Sequence, residues 1–258
     1  NPTLDLPSLK AITTPISINV TTSSWATSNL FSAMTIVVVP AYLSWVFLGP
    51  IYLTVVDMVN DRTSKLKEYL KIMGMRELSY WMANMLLMSI LLLPVVMALS
   101  VACFALGFFG PAANGLLGML IFFLFAFSSM GWALFVGAIA PTIPVATTIT
   151  VIFFVTPFVA TMLVNIPLAA RLCLALLAPV NFQFAMIELV KAKVSHALGP
   201  VREVPSALTA IPEYPIAAAI AFFIIDTVLY TFLAWYFAQI LGGSEEFGGA
   251  PKKWYFLF

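Results

Sequence analysis

Five apolar runs of twenty residues or more decide what this chain can become: Leu30–Val56, Leu78–Leu106, Leu116–Ala140, Val145–Val164 and Ile216–Ile240. Crossing roughly 30 Å of hydrocarbon takes about 20 apolar residues wound as a helix, which satisfies its own backbone N–H and C=O groups where no water can. Only 9% of the residues are charged and 62% are hydrophobic, a balance that a water-soluble domain of this size would not carry. The fold class that follows is an all-α polytopic membrane protein. A net charge of +1 says nothing about a nucleic-acid partner, and with no basic patch outside one loop none is expected. Cys103 and Cys173 sit inside apolar stretches at no metal or redox spacing, and are expected to be packing residues.

The charge is concentrated in one island, Asp57–Glu77, between the first two runs. Five of the twelve Lys and Arg fall there: Arg62, Lys65, Lys67, Lys71 and Arg76. Basic loops stay on the cytoplasmic side of membranes, which orients the chain. Leu66, Tyr69, Leu70 and Met73 recur at helical spacing, Asp61 precedes Lys65 by four, and Gly74 supplies a stop. The island is therefore expected to be one short amphipathic helix. Two roles suit it equally: a lever that a motor domain pushes, or a solvated loop that only sets topology.

Residues 1–28 are rich in Pro, Ser and Thr and read as an extracytoplasmic or lumenal tail, with a glycosylation acceptor pattern at Asn19. Pro40 and Pro50 should kink the first span, and Gly131 and Gly137 should let a neighbour approach the third closely. Residues 166–199 are apolar enough to tempt a sixth crossing. Pro179 instead predicts two pieces of about ten residues each, a re-entrant hairpin too short to span. With a hairpin, Lys252 and Lys253 return to the side of the charged island, giving seven basic residues inside against five outside. The stretch 242–258 then reads as a cytoplasmic linker.

Enzyme constellations are missing from the sequence. It has no Gly-x-x-x-x-Gly-Lys-Ser/Thr phosphate loop and no His-Glu-x-x-His, and its single histidine, His196, has no ligand partners at useful spacing. What remains is polar residues inside apolar spans. Asp226 in the last span should face the bundle interior and find a donor, Tyr230 one turn on or a residue of another helix. Helix packing is its plainest role; lipid contact or proton coupling is the sharper one. Gln183 and Glu188 should anchor the hairpin at the outer headgroup level. Trp25, Trp81, Trp235 and Tyr236 suit interfacial belts.

Three stretches, in order, resemble the transmembrane domain of ABC transporters of the A subfamily, which move lipids. They are KLKEYLKIMGM (Lys65–Met75), LLAPVNFQFAMIEL (Leu176–Leu189) and IIDTVLYTFLAWYFAQIL (Ile224–Leu241) with the tail PKKWYFLF. The sequence departs from the family pattern at Thr63, where a second acid is frequent, and at Ala178, where Ser is usual. The resemblance implies a type V exporter fold with five spans over 29–241 and an exofacial re-entrant hairpin at 166–199. It implies a coupling helix at about 61–75, carried by Asp61, Arg62, Lys65, Leu66, Lys67, Glu68, Lys71 and Gly74, and a second cytoplasmic contact at 140–146. Its expected partners are membrane lipids, a nucleotide-binding domain that holds ATP and Mg in cis or in trans, and the second transmembrane half of the transporter. No cofactor and no ATPase residue is expected in this chain, whose tail 242–258 would lead toward the motor and whose residues 1–28 would leave an extracytoplasmic domain. The C-terminus is expected in the cytoplasm, at the plasma membrane or a vesicle membrane. Two competitors remain: a non-catalytic structural subunit descended from such a domain, and a secondary transporter or channel. The latter predicts paired intramembrane charges or inverted repeats, which the sequence does not display.

Overall fold

In the computed structural model, which describes residues 38–109, 112–162, 167–198 and 214–241, every described element is a helix. In chain order these are α1 (Leu48–Thr63), α2 (Leu66–Ile72), α3 (Glu77–Ala105), α4 (Ala112–Ile139), α5 (Ile143–Met162), α6 (Leu168–Leu174), α7 (Ala178–Leu198) and α8 (Ile216–Leu241). Among the described residues, five stretches are long and apolar enough to cross a membrane: Val38–Thr63, Leu78–Ala105, Asn114–Ile139, Ile143–Ala160 and Ile216–Leu241. The five expected spans are thus present. The tails 1–28 and 242–258, with Asn19 and Trp25, lie outside the described residues.

Proline acts locally where the backbone chemistry says it must. The first span breaks into a turn at 46–47 between helical residues 38–45 and α1, because Pro50 has no N–H to offer the Val46 carbonyl four residues back. In α5 the helix continues through Pro157. There the Thr156 hydroxyl donates to the Phe153 carbonyl at 2.6 Å, replacing the donor that Pro157 lacks.

The bundle is built around α4. Its span is 61% buried, against 22–39% for the other four, and it packs against α1, α3, α5, α7 and α8. Glycine makes two of those contacts possible. A Cβ on Gly137 would stand 3.0 Å from the Met58 Cβ of α1, and one on Gly131 would stand 3.2 Å from the Tyr230 Cβ and 3.3 Å from the Thr227 carbonyl of α8. At Gly131 the obstacles are backbone and side-chain root, which yield only if α8 shifts. Gly131→Ala is expected to cost about 1–3 kcal/mol, read as a lower melting temperature of the solubilised protein. An unchanged value would show that the α4–α8 seam has slack.

Phe125 is the centre of the core. Its ring meets Phe182 of α7 at 4.5 Å, Phe47 beside α1 at 5.0 Å, Phe154 of α5 at 6.3 Å and Phe223 of α8 at 6.3 Å. One side chain therefore joins four neighbouring segments, in the offset and edge-on geometries aromatic pairs favour. Cys103 is buried as expected, but Cys173 is exposed on α6 and packs no core.

Candidate functional site

Two regions hold the residues singled out from the sequence, one at each end of the bundle. At the first end, the charged island is not one helix. Residues 57–63 complete α1, and the chain turns at Ser64 and Lys65 before α2 begins. Lys65 takes a left-handed backbone conformation (φ 57°), and Gly74 (φ 93°) follows α2 in another. Asp61 and Lys65 thus do not share a continuous helical turn, correcting the i,i+4 expectation. The reason lies in α1: its apolar stripe, Ile51, Val55, Met58 and Val59, is buried, and extends the helix into the charged segment.

Asp61 and Arg62 consequently work on the bundle. The Arg62 guanidinium donates to the Ala138 carbonyl at 2.6 Å and to the Ala140 carbonyl at 3.4 Å, closing the C-terminus of α4 where free carbonyls favour a cation. Asp61 accepts from the Tyr80 hydroxyl of α3 at 3.4 Å. Together they tie the α1 end, and with it the start of α2, to α4, α3 and the 140–142 turn. Arg62→Ala should destabilise the protein by about 2 kcal/mol. Arg62→Lys should recover only part of that, since the shorter lysine stem does not bring its ammonium to the position of the one guanidinium nitrogen that reaches both carbonyls; equal losses for both would place the effect elsewhere. α2 itself carries Leu66, Tyr69 and Ile72, all exposed, and Met73 beyond it is 78% exposed. The side chains of Lys67, Glu68 and Lys71 lie outside the described residues.

At the other end, residues 168–198 do form a two-armed hairpin, with arms unlike those expected. α6 has 7 residues and α7 has 21. The break falls at 175–177, and Pro179 sits in the first turn of α7, where its missing N–H has no helical partner to lose. Pro179 thus starts the long arm and does not divide two short ones.

Hydrogen bonds fix the depth and direction of α7. Tyr230, fifteenth of the 26 residues in α8, donates its hydroxyl to the Leu176 carbonyl at 2.7 Å. Asn181 Nδ2 donates to the Ala219 carbonyl at 2.9 Å, and the Tyr214 hydroxyl donates to Asn181 Oδ1 at 2.8 Å. Glu188 accepts from the Tyr214 backbone N–H at 3.1 Å and from Lys191 at 2.7 Å. The turn thus lies beside the middle of α8, and α7 runs antiparallel to α8 until Glu188 reaches the helix start. From Leu176 to Glu188 this is a rise of about 18 Å, over which α7 lies along the first half of α8.

Its long arm is a plug. From Ala178 to Val190 every side chain but Glu188 is buried, the pattern of a helix enclosed on all sides. Gln183 is buried within the bundle (1% exposed), and Glu188 bonds to Lys191 and to the Tyr214 backbone just before α8. Arg171 of α6 is 3% exposed, with its guanidinium 5.4 Å above the Phe184 ring. Burial lowers its proton affinity, and the nearby Glu188 raises it. Tyr214 is held above its ordinary pKa by burial and by the charge of Asp226.

Asp226 faces the interior as expected, with no exposed surface. The donor expected for it is engaged elsewhere, because Tyr230 gives its hydroxyl to Leu176. Neither carboxylate oxygen has a hydrogen-bond partner among the described residues.

The comparisons with known proteins bear on this architecture. Residues 2–236 match the family described as ABC-2 family transporter protein. The chain belongs to that family. Its relatives include the protein named cholesterol transporter ABCA5, from mouse at 32% identity, from rat at 30% and from human at 29%. Each likeness runs over 212 residues, which is 80% of this chain and 12% of the relative. The A-subfamily resemblance is thereby borne out. This ABC-2 chain is a transporter membrane part, with a polytopic integral membrane fold.

Proposed function

We propose that this ABC-2 domain is the lipid path and lever of an ATP-driven transporter of the A type. The observation that carries the reading is α2: a short helix with Tyr69 and Ile72 exposed, joined to the bundle through Arg62 and Asp61. A nucleotide-binding domain seated on α2 would push on the ends of α1, α3 and α4 together. α2 is the coupling helix in this reading, and the 140–142 turn that Arg62 reaches is the second contact. The α2 end is cytoplasmic, as its basic residues favour, which places the re-entrant hairpin in the exofacial half. ATP and Mg are held by the partner domain, with none of their ligands in this chain. The cargo is a phospholipid or a sterol, the latter supported by the name of the relatives.

The test is the native polypeptide: its mass on a denaturing gel, with peptide mapping for a phosphate loop and identification of whatever co-purifies. The reading expects a phosphate-loop ATPase in the same chain or tightly bound. A product near 28.2 kDa with no ATPase attached would favour the structural-subunit alternative.

A further inference from the structure

The buried acid that no donor reaches has a counterpart on the facing helix. α4 and α8 run parallel in matched register: Phe125 meets Phe223 at 6.3 Å, and Trp132 meets Tyr230 at 5.3 Å. Ser128 follows Phe125 by three residues on α4, as Asp226 follows Phe223 by three on α8. The two polar residues are therefore at one level on facing stripes, and Asp226 belongs to the buried stripe Ala219, Phe223, Asp226, Tyr230, Ala234. Ser128 is also fully buried, and its hydroxyl, like both Asp226 oxygens, has no hydrogen-bond partner among the described residues. Unmade hydrogen bonds in the middle of a membrane protein are costly. Here three unpartnered atoms are gathered at one level, which points to something that bonds to them in another state of the molecule.

We propose that Asp226 and Ser128 form a seat for the hydroxyl group of a sterol, covered in this structure by the hairpin. The proposal rests on the reading of this chain as a lipid path, and names the part of the path that reads the cargo. The chemistry selects the ligand. A carboxyl group exchanges a hydrogen bond with a hydroxyl and offers a phosphate no positive charge, and the serine hydroxyl accepts or donates as required. Above and below the seat are aromatic layers, Phe125 with Phe182 and Phe223 on one side and Trp132 with Phe153 and Tyr230 on the other. Flat rings on both sides of a single small polar group suit a rigid, uncharged ring system ending in one hydroxyl. The cover is the hairpin turn, held by the Tyr230 to Leu176 bond next to the seat.

The experiment compares binding of cholesterol and of its 3-methyl ether, which has no hydroxyl proton, to the full-length transporter in nanodiscs. Wild type should prefer cholesterol by about tenfold, the upper end of the net worth of one buried hydrogen bond. Asp226→Leu should bring the ratio near one through weaker cholesterol binding, with the ether little changed. Ser128→Ala should lower the ratio a few-fold, and decides the matter even if Asp226→Leu does not fold. Equal binding of both sterols by wild type, as a water-filled gap would give, overturns the proposal. So does a ratio that both variants preserve. ATP-driven lipid movement measured on the same wild-type sample separates the two levels: movement with an unchanged ratio removes the seat alone, whereas no movement removes the lipid-path reading as well.

Discussion

Replacing Lys65, Lys67 and Lys71 together by Glu in the full-length transporter is expected to abolish ATP-driven lipid movement while basal ATP hydrolysis persists. The first reason is placement. α2 is a helix of 7 residues between α1 and α3, and among the described residues it packs mainly against α1. Force applied to it enters the bundle through α1, whose last turn is fixed by Arg62 on the α4 carbonyls and by Asp61 on Tyr80. The second reason is chemistry. Three reversed charges within seven residues turn attraction to a partner into repulsion, and like-charge juxtaposition across an interface costs several kcal/mol, on the order of a hundredfold or more in affinity. The third is thermodynamic: ATP shifts the membrane domain only through contacts that differ between its two states. Removing those contacts leaves a motor that runs without a load. Transport in proteoliposomes and ATPase activity on the same preparation measure both arms, and unchanged transport would refute the lever.

The second large effect is expected inside the plug. Asn181 is fully buried and uses both ends of its amide, donating to the Ala219 carbonyl and accepting from Tyr214. Leucine has nearly the same volume and neither polar atom. Asn181→Leu strands the buried Tyr214 hydroxyl and releases α7 from the start of α8, at a cost of about 3 kcal/mol. Tyr214→Phe in the Asn181→Leu background should then lose little more, or recover some stability, because the stranded hydroxyl is gone. Such coupling is what a double-mutant cycle on thermal unfolding detects. Additive losses would mean that the two side chains do not act as a pair.

The spans were legible because their cause is local. Twenty apolar residues between polar ends report the bilayer whatever the tertiary packing, so the five spans match to within several residues. One difference, the end of the first span at Thr63 where the apolar run stops at Val56, arises because α1 carries its buried stripe on through Met58 and Val59 into the charged island. Periodicity in Leu66, Tyr69, Leu70 and Met73 found α2, yet could not show that Lys65 would turn the chain just before it. The hairpin was legible as a break in an apolar stretch. Its unequal arms were not, since Pro179 serves equally as a divider or as the first turn of a helix, and only the contacts of α7 decide between them. Asp226 was visible as a charge in an apolar run. Ser128, Phe125 and Asn181 were not, because Ser, Phe and Asn in a membrane helix look alike whether they face lipid or neighbours, and their meaning depends on register between helices distant in sequence. The glycines at 131 and 137 were the exception, as close approach is the main reason to place Gly within a span.

The measurement that reaches the central claim most directly is ATP-dependent lipid movement by the purified full-length protein in proteoliposomes, followed with fluorescent phospholipid and fluorescent sterol in parallel. The account predicts movement of at least one of them that requires ATP and Mg and disappears when Lys65, Lys67 and Lys71 are reversed. Folded protein that hydrolyses ATP and moves neither lipid would contradict it.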